Sequence, residues 1–209
     1  MSSTWSWITL VAAVVVVAGG VWSQVSNVEE PEFTLVEQDG AFELRDYPAL
    51  IVAEATVAGT REVAINQGFR VIADYIFGNN ISATKVAMTA PVIQQQSETI
   101  AMTAPVTQQD AGGSWTVRFT MPSDYTMATL PKPNNPAVTL KVVESQRMAV
   151  IRFSGVANDR SLADSGAKLR AMLIAHKLTA LAPPLYAFYN PPWTLGFLRR
   201  NEVMIPVAK

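Results

Sequence analysis

Side chains that do chemistry are scarce in this sequence of 209 residues. It has no cysteine and one histidine, His176, which excludes thiolate catalysis, cysteine-ligated zinc and disulfides. A lone histidine could ligate a metal ion, but a zinc site would need carboxylate partners that no local spacing provides. His176 ends an apolar helical stripe, which favours a structural role. The sequence contains no G-x-S-x-G elbow, P-loop or dinucleotide fingerprint, so we expect a binding protein that is not an enzyme.

Two parts of the chain repeat the order strand, turn, helix. The first has an apolar strand at 47–57 and a helix at 61–77, and the second has a strand at 146–156 and a helix at 161–178. This order predicts two β-α-β-β units related by a pseudo-twofold axis. A groove between such halves is a natural ligand site.

The first helix has more apolar surface than one packing contact requires. One stripe, predicted to pack on the sheet, consists of Ile65, Phe69, Ile72 and Ile76. A second strip, which could face a ligand, consists of Ala64, Val71 and Tyr75. Thr60 and Asp159 are residue types that cap helices, and we expect them to begin the two helices.

One hexapeptide, Ala-Met-Thr-Ala-Pro-Val, occurs twice in the middle of the chain, at 87–92 and 101–106. Each copy runs into glutamines, as an apolar extended segment does when it leaves the core. Pro91 and Pro105 have no N–H for a sheet ladder, so they belong at a strand edge, a strand start or a bulge. The pattern predicts a β-hairpin with related arms.

The N-terminal segment differs in composition from the rest. From Trp5 to Trp22 the chain is apolar, with no charged side chain before Glu29, and this length is just enough to cross a bilayer core. The absence of Lys or Arg near the N-terminus favours an uncleaved anchor over a cleaved signal peptide, and a buried helix is the third alternative. We expect 1–28 to be this anchor or signal segment. The folded domain, 29–209, would then be membrane-anchored and extracytoplasmic, or periplasmic if bacterial.

Near its C-terminus the chain reads YAFYNPPWTLGFLRRNEVMIPV, which predicts a strand, a stiff loop with two prolines, and a last strand. Trp193, Leu195 and Phe197 in this loop either close the end of the core or form a lid over an apolar groove. Arg200 and Glu202 alternate along the last strand and share a face, so we expect them to form a structural pair.

These motifs resemble those of the SOUL haem-binding protein family. The resemblance rests on the two Met-Thr-Ala-Pro-Val segments, on YNPP at 189–192 followed by RRNE at 199–202, and on the repeat order; it covers roughly 33–207. It implies an α+β fold, a distorted antiparallel β-barrel built from two repeats and flanked by two helices. It also implies that haem or another tetrapyrrole binds in an exposed apolar cleft between the first helix and the Pro-Pro-Trp loop.

The resemblance points to a set of site residues. The apolar candidates are Ile65, Phe69 and Ile72 on the helix and Trp193, Leu195 and Phe197 on the loop. Arg61 or Arg70 would meet the haem propionates. Because His176 lies in the second helix, we expect no histidine to ligate the iron and apolar contact to hold the ring.

Two other functions stay open. An effector-type module, similar to the GyrI-like group, would bind another apolar or cationic small molecule and would line its groove with carboxylates such as Glu43, Glu54 and Glu62. A tetrapyrrole-modifying enzyme would need acid–base groups, for which His176 is a weak basis. A net charge of −1 gives no basic excess to neutralise phosphates, so nucleic acid is not an expected partner.

Overall fold

The computed structural model describes residues 28–83, 97–191 and 193–209. The apolar segment at 5–22 and the first hexapeptide at 87–92 lie outside the described residues, and what the sequence predicts for them stays a prediction. Within the described ranges, no helix combines the length and the apolar character needed to cross a membrane.

Nine antiparallel strands form one sheet that curls into a half-barrel. The strands of the protein are β1 (Thr34–Asp39), β2 (Phe42–Tyr47), β3 (Leu50–Ala58), β4 (Asn80–Ile81), β5 (Val106–Asp110), β6 (Ser114–Thr120), β7 (Lys132–Pro133), β8 (Thr139–Val143), β9 (Gln146–Ser154), β10 (Leu185–Phe188) and β11 (Arg200–Val207). The sheet order is β8-β3-β6-β5-β10-β11-β9-β2-β1, and β4 pairs with β7. The predicted α+β class with a barrel-like antiparallel sheet is confirmed.

The two halves of the sheet have the same connectivity. In one half, β3 leads into helix α1 (Arg61–Ile76) and then to β5 and β6; in the other, β9 leads into helix α2 (Asp159–Ala175) and then to β10 and β11. In each half the last strand pairs with the strand that precedes the helix, and β5 pairs with β10 at the centre. The order of elements therefore agrees with the repeated strand-turn-helix order of the sequence; the pseudo-twofold relation between the halves stays a prediction.

Both helices pack on the same face of the sheet. Helix α1 covers Val117 and Phe119, and helix α2 covers Ile151 and Val203. Directly opposed residues on neighbouring strands share a face. The strand register places Val117, Gln108, Val203 and Ile151 in one row across the sheet. We call this the outer face; the inner face is the opposite one.

Helix α1 touches the sheet at Gly68. A Cβ atom at Gly68 would lie 2.6 Å from Cγ2 of Val117, so the helix backbone is as close to β6 as it can be. The buried stripe of α1 is therefore shifted from the stripe that the sequence predicts. Because Gly68 makes the contact with the sheet, the larger side chains next to it lie at the sides of the helix. Phe69 is 37% exposed and Ile65 is half-buried. The residues buried along the helix are Ala64, Gly68, Ile72, Ala73, Tyr75 and Ile76.

The helices begin with different caps. Thr60 caps α1 as predicted, and its hydroxyl accepts from the Val63 amide. For α2 the prediction is wrong by one residue, because the cap is Asn158 and Asp159 is the first helical residue. Asn158 accepts from the Ser161 amide at 2.9 Å, and the Ser161 hydroxyl accepts from the Asn158 amide at 3.0 Å. This reciprocal pair of bonds is a capping box, and it forms with the cap at residue 158, one position before the cap that the sequence predicts.

The second hexapeptide leads into a strand of the main sheet. Pro105 stands directly before Val106, the first residue of β5, which is the strand-start position expected for a proline. Strand β5 pairs with β6 and with β10, so the hairpin it forms is with β6, through Gly112 and Gly113. The predicted hairpin between the two hexapeptide copies stays a prediction, because the first copy is not described.

Candidate functional site

An apolar floor crosses the outer face where the two halves meet. Phe119 is opposed to Val106, and Val106 is opposed to Phe188. Neighbouring strands lie about 4.8 Å apart, so this row is roughly 10 Å wide from β6 to β10. Phe69 of α1 covers one end, with its ring centroid 5.3 Å from that of Phe119. Val106 and Phe188 are only half-buried, and they form a floor between α1 and the loop that follows β10.

That loop, residues 190–198, carries large apolar side chains into solvent, and we call it the aromatic loop. Trp193 is 82% exposed and Phe197 is 73% exposed, and Leu195 is exposed as well. This exposure excludes the interpretation that these side chains close the end of the core. The loop packs against the turn that leads from β9 into α2, where the Gly155 amide donates to the Gly196 carbonyl at 3.1 Å. A group of exposed aromatic side chains is typical of a ligand or partner site.

The base of the aromatic loop is held from both ends. The Tyr189 hydroxyl donates to Oε2 of Glu202 at 2.7 Å, and the Arg200 amide donates to Oδ1 of Asn190 at 2.6 Å. The Arg200 guanidinium also lies over the Tyr189 ring, 3.7 Å from its centroid. The YNPP and RRNE motifs thus meet across the loop, which fixes where its exposed tip is presented.

Glu202 is the centre of a buried charge network behind the loop base. It is fully buried, and both its oxygens accept from the buried Arg45, at 3.0 and 3.1 Å. Arg200 adds a contact of 3.0 Å, so the predicted Arg200–Glu202 pair forms. Burial alone would raise the pKa of Glu202, but the hydrogen bonds and charges of the two arginines outweigh burial and lower it. Burial and the Glu202 charge raise the pKa of Tyr189 above its ordinary range.

The sequence-predicted helix residues do not all reach the floor. Ile72 is fully buried among core side chains, so it has no surface to offer a ligand. Arg61 donates from Nε to Oδ1 of Asp159 at 2.6 Å, which joins the first turns of the two helices. Arg70 is exposed and makes no ion pair within the described part of the chain. Phe69 and, less so, Ile65 remain as the helix side of the site.

Sequence reasoning missed two floor residues and a buried glutamine on the same face. Val106 and Phe188 meet only through long-range strand register, although Val106 ends the second hexapeptide and Phe188 precedes YNPP. Gln108 lies on the same face as Val106, and its Nε2 donates to the Arg61 carbonyl at 2.8 Å. Its Oε1 is buried and has no hydrogen-bond partner among the described residues. An orphaned buried acceptor of this kind calls for a water or a ligand group.

His176 lies away from this floor, at the C-terminal end of α2. Its Nδ1 is 2.9 Å from Oε1 of Glu37, its Nε2 is 3.7 Å from Oδ2 of Asp39, and its ring stacks on Phe42. These contacts tie α2 to the β1–β2 hairpin. Within the ranges that the structure describes, no three His, Asp or Glu side chains are placed to hold a metal ion.

Solved structures with a similar fold share little sequence with this chain. The C-terminal domain of EcmrR superposes with a TM-score of 0.59 at 11% identity, over 80% of this chain and 97% of that one. A hydrolase from Listeria innocua superposes with a TM-score of 0.51 at 13% identity, over 87% and 93%. At such identities the likeness shows the fold alone. No curated protein matches the sequence significantly.

Family membership rests on sequence over nearly the whole described domain. The family model of the SOUL heme-binding proteins matches residues 28–206, which include the second hexapeptide, the floor and the aromatic loop. The chain therefore belongs to the SOUL heme-binding protein family.

Proposed function

We propose that this protein binds haem or a related tetrapyrrole on the outer-face floor, between α1 and the aromatic loop, without a catalytic step. The observation that carries the proposal is the exposure of Trp193 and Phe197 in the loop that follows β10, the strand whose last residue, Phe188, forms the half-buried floor with Val106. Membership of a heme-binding family gives the ligand class. A planar macrocycle needs a wide, dry slot, and the floor and the loop offer apolar surface on two sides.

The polar edge of the ring would meet α1. Arg70 is exposed and without an ion-pair partner in the described ranges, so it is the cation available for a propionate. Arg61 is held by Asp159, so its engagement would require that ion pair to open. Gln108 is fully buried like Ile72, so its orphaned Oε1 would accept from an internal water and not from the ligand. Apolar contact would therefore supply most of the affinity.

We further infer a membrane tether in the segment 1–28. The described chain begins beside the aromatic loop, since Glu30 pairs with Arg200 at 2.8 Å. With an anchor in this segment, the loop and the floor would stay near the bilayer surface. The protein would then act as a membrane-tethered carrier on the extracytoplasmic side.

A haemin titration of the full chain in detergent, followed by the Soret band, tests the proposal. Burial of a side chain of the Phe class is worth roughly 1.5 to 3 kcal/mol, so Trp193→Ala should weaken binding on the order of tenfold or more. The matched control is Ile174→Ala, which removes an apolar side chain that is also exposed but lies on α2. It should leave the affinity unchanged.

The ligation scheme is tested in the same titration. His176→Ala should change neither the Soret position nor the affinity, because His176 is engaged with Glu37 and Phe42. If His176→Ala shifts the Soret band while Trp193→Ala has no effect, the site lies by α2 and the floor proposed here is wrong.

A further inference from the structure

We propose a second ligand site on the inner face of the sheet, which takes an amphiphile with an apolar body and a carboxylate head. It does not depend on the proposed tetrapyrrole site, because the two lie on opposite faces. Along β5, Val106 and Gln108 face the helices, whereas Thr107 between them lines the inner cavity. Successive residues of a strand point to opposite faces.

The inner cavity spans the curled sheet. Its walls reach from Tyr47 on β2 to Val143 on β8, and its volume is about 80 Å³; the trough that adjoins it, described below, has a volume of about 310 Å³. Ligand pockets have volumes of about 300–1,000 Å³, so a ligand would occupy the cavity and the trough together. The wall side chains include a continuous apolar set, consisting of Leu50, Val52, Met148, Leu185 and Met204. The body of a ligand in this cavity would therefore be apolar.

One end of the cavity is covered by the N-terminal part of the domain. Pro31 lines the cavity, and Glu29 before it is hydrogen-bonded to the segments that precede β5 and follow β6. Glu29 accepts from the Ala104 amide at 2.9 Å through its carbonyl and from the Ser123 amide at 2.8 Å through its carboxylate. Because this end is covered, the proposed entry for a ligand is the other end.

The other end opens into a polar trough. A second cavity adjoins the first and shares Arg118, Gln146 and Leu185 with it. Arg118 donates from Nε to Glu54 at 2.8 Å and from Nη1 to Gln109 at 3.2 Å. Its Nη2 has no partner within the described residues, and neither has the ammonium group of Lys141, which lines the trough.

These groups favour an acceptor head on the ligand. The charges at this end are Arg118, Lys141, Glu54 and Glu144. Glu54 is already engaged by Arg118, and Glu144 is exposed, where water and salt screen its charge. The unsatisfied groups are thus cationic donors, and a carboxylate accepts from an Arg edge and a Lys together. An apolar body ending in a carboxylate fits both parts of the cavity.

Calorimetric titration of the full chain in amphipol with dodecanoate, with empty amphipol subtracted, tests the site. Leu185→Trp should weaken dodecanoate binding at least tenfold, because Leu185 lines both cavities and the indole would fill the passage. Val143→Trp fills the same space from the edge strand β8 and serves if Leu185→Trp folds poorly. Neither change should alter haemin affinity. Trp193→Ala, on the opposite face, should leave dodecanoate affinity unchanged.

The head-group assignment has its own comparison. Dodecanol has the same chain without a carboxylate and should bind at least tenfold more weakly than dodecanoate. Lys141→Gln should weaken dodecanoate several-fold and leave dodecanol unchanged. Equal affinity for the two probes would overturn the carboxylate head. Binding that survives both tryptophan substitutions, or that is lost in Trp193→Ala, would overturn the inner-face site itself while leaving the tetrapyrrole proposal standing.

Discussion

The two halves of the sheet share their connectivity but differ in how deeply their charged side chains are buried. One inner-face row runs Arg118, Thr107, Ala187, Glu202 across the centre, so Arg118 and Glu202 hold equivalent places in the two halves. Arg118 pairs with Glu54, and the two side chains remain 21% and 18% exposed. Glu202, in contrast, is fully buried between two arginines. The same position is a semi-exposed ion pair in one half and a closed network in the other.

This difference matches the roles that we propose for the two halves. The closed network stands behind the aromatic loop and fixes its base, so a rigid presentation of Trp193 depends on it. The open pair stands at the mouth of the inner cavity, where part of Arg118 is available to a ligand. One fold thus gives a structural charge cluster and a candidate binding group from equivalent positions.

The two helices differ as well. Gly68 of α1 is in van der Waals contact with Val117, whereas a Cβ at Gly166 of α2 would meet nothing closer than Nη1 of Arg170, at 3.6 Å. Helix α1 is therefore seated tightly on its strands, and α2 has space at its glycine. The tighter helix is the one that forms a wall of the proposed tetrapyrrole site.

The largest expected effect is the difference in stability between variants at the two ion-pair positions. Glu202→Gln leaves Arg45 and Arg200 without their shared buried carboxylate, and breaking a buried pair costs about 3–5 kcal/mol. Glu54→Gln breaks a pair that water still reaches, which costs about 1 kcal/mol or less. Urea unfolding of both variants at neutral pH measures the difference. Similar losses of unfolding free energy in the two variants would show that burial does not distinguish the two halves.

The next largest effect is a change in the free energy of unfolding that has opposite signs for Gly→Ala substitutions in the two helices. Gly68→Ala places a methyl group against Val117 and should lower the free energy of unfolding by about 1–3 kcal/mol. Gly166→Ala makes only an ordinary van der Waals contact, with Arg170, and should raise the free energy of unfolding by about 0.5–1 kcal/mol, because alanine loses less backbone entropy in a helix. Thermal unfolding of both variants checks this. A stabilised Gly68→Ala protein would mean that α1 can move away from the sheet.

The buried network also predicts a pH dependence. The folded-state pKa of Glu202 lies below its ordinary value of 4.5, so its stabilising contribution is full above that pH and is lost as the pH falls through the folded-state pKa. One such group changes stability by at most about 1.4 kcal/mol per pH unit. The stability difference between wild type and Glu202→Gln should therefore narrow on acidification. A constant difference down to pH 2.5 would contradict the lowered pKa.

Local patterns in the sequence were enough to predict the α+β class and both strand-turn-helix units, and to include a strand start among the three positions expected for Pro105. Contacts between distant residues were not predictable. Arg45 and Glu202 are 157 positions apart, and Val106 and Phe188 meet only because β5 and β10 pair in one register. The contact at Gly68 depends on which face of α1 meets Val117. Periodicity cannot choose that face when two apolar strips lie side by side.

The smallest expected effect compares the two helix caps, where sequence reasoning was right for one and wrong for the other. The Thr60 side chain accepts one hydrogen bond, from the Val63 amide at 3.4 Å, which is long for an N–H···O bond. Asn158 takes part in two short reciprocal bonds with Ser161. Cap removal costs about 0.5–2 kcal/mol, so Thr60→Ala should fall at the low end and Asn158→Ala near 1 kcal/mol or above. Asp159→Ala is the control for the discarded assignment: it loses only the ion pair to Arg61, whose carboxylate side is exposed. Urea unfolding measures both variants. A greater loss of unfolding free energy in Asp159→Ala than in Asn158→Ala would mean that the ion pair between the helices stabilises the protein more than the cap that begins α2.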